Sequence, residues 1–380
     1  MKNNAKLKSG ESDNQLCTNL VNTSQNKNIH PIIVGTGLIS LDVVFGVDNN
    51  SEPKYWAGGT CGNVLSILSY LGWNSYPIGI IGQDNASKLA ILDMKQVGVK
   101  TKFLEQDNSF DTPIVVEQIK NNAKGEARHS FMWTCPNCGA KLPLYRTVPI
   151  NRARVLVDQL PVSSVFFFDR VSRGILHMAE AYAAQGSLIV FEPSGVKEAK
   201  LFQEAVSLSH IVKYSHQRMS RLNLPAYPVP SLEIETMGAS GLRYRTSSGI
   251  SYSTKHWIEM KAYAVDSVRD TAGAGDWCTS AIINSLGSRG AEGLKTATER
   301  DVVQALKIGQ GFSAIKCHYE GARGVMYALL RKELETRVRQ IVIHKKTPLF
   351  AGNKKQQLSE SLRGICPKCS EIKPQNVNVR

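Results

Sequence analysis

The run Arg269-Asp270-Thr271-Ala272-Gly273-Ala274-Gly275-Asp276 constrains this chain of 380 residues more than any other stretch. Small residues stand directly before an apolar helical run that holds Trp277, Cys278, Ala281, Ile282, Ile283 and Leu286. A Gly-Ala-Gly turn that opens a helix leaves N–H groups without intrahelical partners, and the helix dipole adds partial positive charge to them. Gly273, Ala274 and Gly275 therefore form a cradle for an anion. Asp276, on the first turn, stands where a carboxylate can take a proton from a hydroxyl nucleophile. The chemistry implied is phosphoryl transfer to an alcohol; the plain alternative is a tight turn capped by Asp.

Other segments supply the context that a lone Gly-x-Gly lacks. Gly58-Gly59-Thr60-Cys61-Gly62-Asn63 places paired glycines before a helix whose first turn carries Asn63, a side chain that can both donate to and accept from hydroxyls. Strand-like and helical runs alternate along most of the chain, which implies a parallel sheet covered on both faces. Strands are expected at 31–35, 41–47, 76–82, 102–105, 165–168, 187–191, 210–214, 231–237, 241–246 and around 250–253. Helices are expected at 61–71, 86–97, 174–184, 197–208, 274–286, 301–316 and 325–337. Residues 112–134 break the rhythm with two β-rich runs that read as an inserted hairpin.

The Asp270–Asp276 signature and the Gly58-Gly59 segment resemble those of the ribokinase-like (PfkB-type) carbohydrate kinases. The resemblance spans roughly residues 31–330. It implies Asp276 as catalytic base and the Gly273, Ala274 and Gly275 amides as anion hole. By the same resemblance Asp42, Gly58, Gly59 and Asn63 would grip the substrate, with Asp169 and Arg170 facing it from a strand end. Thr236, Gly238, Gly241, Thr271 and Gly321 would contact ATP. Asp270 and Ala272 would flank a monovalent cation such as K⁺. The pattern departs in two places. Gln217 stands where many members carry a Glu that helps to order Mg²⁺, which leaves Glu192 as a substitute carboxylate. Thr60 replaces the Lys of ribokinases proper, which argues against simple ribose. Arg128 and His129, on the second strand of the hairpin, either reach the substrate or face solvent.

Four of the eight cysteines sit in two Cys-Pro-x-Cys pairs, Cys135/Cys138 and Cys366/Cys369. This spacing lets two thiolates meet one tetrahedral ion, so the pairs are expected to close a structural Zn²⁺ site. The competing readings are a redox pair, or half-sites completed across a homodimer.

Composition narrows the remaining choices. The net charge is +14, and residues 331–380 hold 12 Lys/Arg against 4 Asp/Glu. Basic residues are not interleaved with aromatics there, so a solvated tail is expected and nucleic-acid binding is not. No apolar run is long enough to span a bilayer, and residues 1–28 lack the apolar core of a secretory signal, so they read as a disordered arm and the setting as cytoplasmic. The expected architecture is α/β: a ribokinase-like three-layer sandwich over 29–338 with a central, mostly parallel sheet. A small β lid is drawn from insertions near 41–57 and 111–135. A basic tail, 339–380, brings a zinc-knuckle appendage. The expected activity moves the γ-phosphoryl of ATP to a sugar hydroxyl. A nucleoside kinase, or a regulatory protein that binds a ligand without turning it over, remains an alternative.

Overall fold

The computed structural model describes residues 30–46, 52–121, 127–220, 226–254, 256–345 and 364–371. The arm expected over 1–28, the stretch 346–363 and the Arg128 side chain lie outside the described residues.

Among the described residues a nine-stranded sheet has the order β13-β12-β11-β10-β9-β8-β1-β4-β5. Its strands are β1 (Ile32–Thr36), β4 (Asn74–Ile81), β5 (Leu104–Gln106), β8 (Val165–Phe168), β9 (Leu188–Phe191), β10 (Ile211–Ser215), β11 (Leu232–Thr236), β12 (Leu242–Thr246) and β13 (Ile258–Met260). From β5 to β11 every pair is parallel; β12 and β13 continue antiparallel. Side chains alternate across a strand, so each central strand feeds two cores. Ile33, Val165 and Phe167 pack into one apolar cluster, while Val34, Phe166 and Phe168 pack into the other. The helices Thr60–Tyr70, Ala274–Leu286 and Glu299–Lys316 supply the first cluster, and Arg173–Ala184 and Ala199–Leu208 the second.

A second sheet, β3-β2-β6-β7, joins β2 (Ser40–Phe45) and β3 (Lys54–Gly58) to β6 (Ile114–Asn121) and β7 (Ala127–Met132). The β6–β7 hairpin is the one expected from sequence, and β2 lies parallel to β6. Local signals set the helix starts. Asp84 and Ser87 form a reciprocal cap on Asn85–Gln96, and Thr298 and Asp301 do the same for Glu299–Lys316. No helix among the described residues is long and apolar enough to cross a membrane.

Three expectations about elements are corrected. Residues 250–253 are not a strand: Ile250 is buried, Ser251 Oγ donates to the Ala297 carbonyl, and Thr246 and Thr254 exchange side-chain bonds where a ladder would run. The helix expected over 325–337 is two helices, Gly324–Ala328 and Arg331–His344. Leu329 and Leu330 are extended between them, and the Leu330 N–H donates to Glu333 at 2.8 Å as the second helix begins. That second helix also carries order past Arg339 to His344.

Candidate active site

In an open parallel sheet the ligand crevice forms beyond the carboxyl ends of the strands, where the strand order reverses. Here β1 pairs with β4 on one side and β8 on the other, and the expected residues collect beyond those ends. Phe168 lies opposite Phe191 in the β8–β9 pair, so Asp169 and Glu192 emerge side by side. Gln217 follows β10, and Thr236 ends β11. These groups and the start of the Ala274–Leu286 helix line one cavity of about 2010 Å³.

The Gly273-Ala274-Gly275 turn opens the Ala274–Leu286 helix and lines the cavity. Gly273 is the N-cap, with φ 73° and ψ −2°, a left-handed conformation that suits glycine. A Cβ there would lie 2.5 Å from that of Ala322. One expectation changes: the Ala274 N–H donates to the Thr271 carbonyl at 3.2 Å, so this amide is drawn into the turn. Asp276 stands one residue beyond Gly275 on the first turn, and its Oδ2 accepts from Asn63 Nδ2 at 2.7 Å. This bond joins residues 213 positions apart, from the two segments that sequence reading singled out separately.

The carboxyl groups are held unevenly. Burial, reinforced by the nearby Glu192 charge, pushes Asp276 up to about 8, against the pull of Asn63 and Lys213. Burial likewise raises Asp42 to about 6, although Ser40 Oγ donates to it at 2.7 Å. Asp169 is raised by burial to about 6, offset in part by Arg170, whose Nη1 lies 2.5 Å from Oδ2. The Leu38 N–H fixes the other Asp169 oxygen at 2.9 Å.

Most of the expected contact residues reach the cavity. Asp42, Gly59, Asn63, Asp169, Arg170, Thr236, Gly238, Gly241 and Thr271 line it, as do Thr60 and His129. Gly58 and Gly321 stand behind the wall instead. A Cβ on Gly58 would sit 1.9 Å from Asp42 Cγ, and one on Gly321 would sit 1.9 Å from the Trp56 ring. Ala322, the next residue, takes the place on the wall expected of Gly321.

Two buried lysines, Lys213 and Lys316, escaped the sequence reading, and Arg323 proves to be a buried ion-pair partner. Lys213 Nζ, fully buried on β10, lies 2.8 Å from Glu192 Oε1, while Thr279 Oγ1 donates to Oε2 at 2.5 Å. Burial pulls the Lys213 ammonium down, but the Glu192 carboxylate outweighs it and holds the group above its ordinary value. The signal was a lone Lys inside the otherwise inward-facing run Ile211-Val212-Lys213-Tyr214. Lys316 Nζ donates to Asp270 Oδ2 at 2.8 Å and to the Asp270 carbonyl at 2.9 Å. Those are the oxygens of a residue expected to flank a monovalent cation. Arg323 is buried against Asp93 at 2.9 Å and donates to the Ala57 carbonyl, which ties the second sheet to the body.

The two Cys pairs converge. Cys135 Sγ lies 3.7 Å from Cys369 Sγ, and Cys138 Sγ lies 3.8 Å from Cys366 Sγ. All four sulfurs fall within 4.8 Å of one another.

Comparison with known proteins agrees with this fold. The family model described as pfkB family carbohydrate kinase matches residues 33–222. No curated protein sequence matches the chain. Among solved structures, aminoimidazole riboside kinase from Salmonella enterica, complexed with aminoimidazole riboside and an ATP analog, is 17% identical with a TM-score of 0.60, covering 81% of this chain and 99% of its own. Fructokinase with bound ATP from Xylella fastidiosa is 18% identical with a TM-score of 0.61, covering 82% and 99%. Arabidopsis thaliana ribokinase, complexed with ribose and ATP, is 15% identical with a TM-score of 0.59, again covering 82% and 99%. At such identities the likeness is one of fold, and it carries the architecture past residue 222, where the sequence match stops. With half of its length matched by that family's model and the rest continuing the same fold, the chain belongs to the pfkB family of carbohydrate kinases.

Proposed function

We propose that this protein transfers the γ-phosphoryl of MgATP to a hydroxyl of a sugar or nucleoside. The observation that carries the reading is the Asn63–Asp276 bond beside the Gly273–Gly275 turn, at the floor of the cavity. A buried carboxylate with an affinity for protons near neutrality, fixed by a neutral donor, suits proton abstraction from an alcohol. In this reading Asp276 Oδ1 receives the hydroxyl proton as that oxygen attacks in line. The Gly273 and Gly275 N–H groups and the helix dipole stabilise the charge on the moving phosphoryl group. Asp42 and Asp169 accept from acceptor hydroxyls, and Gly59 lets the acceptor approach the backbone. Thr236, Gly238, Gly241 and Thr271 face the nucleotide. The second sheet closes over the acceptor and excludes water.

Hard oxygen donors suit Mg²⁺, and Glu192 is the substitute carboxylate that the sequence offered. Both Glu192 oxygens are already engaged, by Lys213 and Thr279, and Gln217 brings no charge. The phosphates of ATP are therefore its main ligands in this reading. Bound there, the ion would offset the charge of the phosphates.

The four cysteines fit structural zinc. A tetrahedron with Zn–S bonds of about 2.3 Å has edges of about 3.8 Å, which the two measured separations match, whereas a disulfide needs about 2.05 Å. Four thiolates leave no open position for chemistry. The test of function is transfer of labelled phosphate from MgATP to a panel of sugars, sugar phosphates and nucleosides. Turnover is expected with at least one acceptor, and Asp276→Asn should lower it by roughly a thousandfold. Folded protein that phosphorylates no member of the panel, or an Asp276→Asn variant with full activity, would defeat the proposal.

A further inference from the structure

Lys316 closes the Glu299–Lys316 helix, and it is completely buried. A buried ammonium is costly unless its surroundings supply both charge and acceptors. Here one residue, Asp270, supplies both: its carboxylate Oδ2 at 2.8 Å and its backbone carbonyl at 2.9 Å. The other carboxylate oxygen accepts from the Ala272 N–H at 2.8 Å. Asp270 therefore holds the ammonium on one side and, on the other, the start of the loop that runs through Gly273 to Asp276. The backbone registers the same junction, because the Arg269 and Asp270 N–H groups both donate to the Cys317 carbonyl.

Carboxylate and carbonyl oxygens around a single positive charge are also what an alkali ion requires. The two cannot share these oxygens. The site as built does not fit the K⁺ that sequence resemblance led us to expect beside Asp270. Two titratable groups face the pair from the second sheet. Glu117 on β6 and His129 on β7 cluster with Asp270, His129 Nδ1 at 3.4 Å from it. Without Lys316, the Asp270 carboxylate would keep the Ala272 N–H and the neighbouring His129 but lose the ammonium that holds its other oxygen.

We propose that Lys316 is the resident monocation of the phosphate-binding loop, a covalently attached ammonium in the place of a diffusible alkali ion. Loop geometry and MgATP binding then require no K⁺. Lys316 acts through Asp270 and touches no substrate, so it is a positioning residue. The proposal rests on the kinase reading for the identity of the ligand, MgATP, but not for the cation.

The test compares KCl with choline chloride at matched ionic strength. For the wild type, melting temperature should not differ between the salts, and MgATP affinity measured by calorimetry should differ by less than about twofold. Crystals soaked in thallous acetate should show no anomalous peak at the Asp270 oxygens. Lys316→Met should bind MgATP at least about tenfold more weakly in choline chloride, with K⁺ restoring part of the loss, as removal of a charge-assisted bond predicts. Lys316→Arg, which keeps the charge, should restore binding that is indifferent to the salt. A K⁺-selective rise in wild-type melting temperature or affinity, or a thallous peak at Asp270, overturns the proposal. So does a Lys316→Met protein that binds MgATP as tightly as wild type in choline chloride. If Lys316→Met does not fold, the wild-type and Lys316→Arg measurements decide alone. Wild type that binds no MgATP in any salt would instead sink the kinase reading, and the thallous and melting measurements would still judge the cation.

Discussion

As the proposed base, Asp276 meets two opposed requirements: it must be ionised to accept a proton, yet it is enclosed by protein and lies near another carboxylate, Glu192. Its value of about 8 gives the sign of the pH response. Below that value the group carries its proton and cannot act as base, so kcat/KM should fall as the pH is lowered, along a limb centred near 8. Glu192→Gln removes the charge that raises Asp276 and frees Lys213, which lowers it. A pH–rate profile of that variant should show the limb displaced to lower pH; a limb that stays in place would assign it to another group. Gly58 makes a different demand, for space. A Cβ at Gly58 would fall 1.9 Å from Asp42 Cγ, so Gly58→Ala must displace that carboxylate from its place in the proposed acceptor site. The expected result is a KM for the acceptor raised by about tenfold or more, with the KM for ATP little changed. Equal loss for both substrates would place Asp42 outside acceptor binding. The paired glycines signalled a close approach in the sequence, but only the fold shows that the group approached is Asp42.

Elements with a strong internal pattern were legible, and those defined by partners were not. Val165–Phe168 is wholly apolar and Asn85–Gln96 carries its own cap, so either can be read in isolation. β3 is short, begins with Lys and ends in glycine; what makes Lys54–Gly58 a strand is its pairing with β2. The helix Ile150–Val157 also went unread, because it is only eight residues long and only Ala153 is buried. Lys316 reads as an ordinary basic residue at a helix C-terminus, which is where the dipole favours one. Cysteine spacing lies at the other extreme, since two thiols two residues apart announce a shared partner across more than two hundred residues. The short helix Pro367–Glu371 meets the base of the hairpin through Cys366 and Cys369, beside the buried Ile365 and the bond from Asn85 Nδ2 to the Gly364 carbonyl. Purified protein should therefore contain about one zinc per chain by elemental analysis. A strong chelator, or Cys369→Ser, should make this segment exchange amide hydrogens freely while the central sheet stays protected, and should lower the melting temperature. Cys135→Ser added to Cys369→Ser should cost little more than either alone, because one lost thiolate already opens the site. Metal-free protein with unchanged protection at 364–371 would refute a zinc staple.

The molecule as a whole concentrates buried acids around one cavity, and that placement sets how its stability should vary with pH. Burial raises Asp42 and Asp169 to about 6, Asp276 to about 8 and Glu117 to about 9, the last helped by the Asp270 charge. Each is an acid that the folded chain keeps protonated over a range where the unfolded chain has released its proton. Between the ordinary carboxyl range, near pH 4, and these raised values, the folded state binds more protons than the unfolded state, so stability declines as pH rises. Asp270 works in the opposite sense. Burial alone would raise it, but His129, Lys316 and the Ala272 N–H together hold it at about 2. Its contribution is complete above about pH 4 and is lost only as the pH falls toward 2. The ligand-free protein should therefore melt highest near pH 5, and its melting temperature should fall steadily toward about pH 9. Asp276→Asn cannot ionise, so it should flatten part of that decline and melt above the wild type at about pH 8.5 while lacking turnover, the sign of a site whose chemistry opposes its stability. Scanning calorimetry across this range decides the matter. A melting temperature that rises between about pH 5 and 9, or an Asp276→Asn curve parallel to that of the wild type, would show that these carboxyl groups ionise freely in the folded protein.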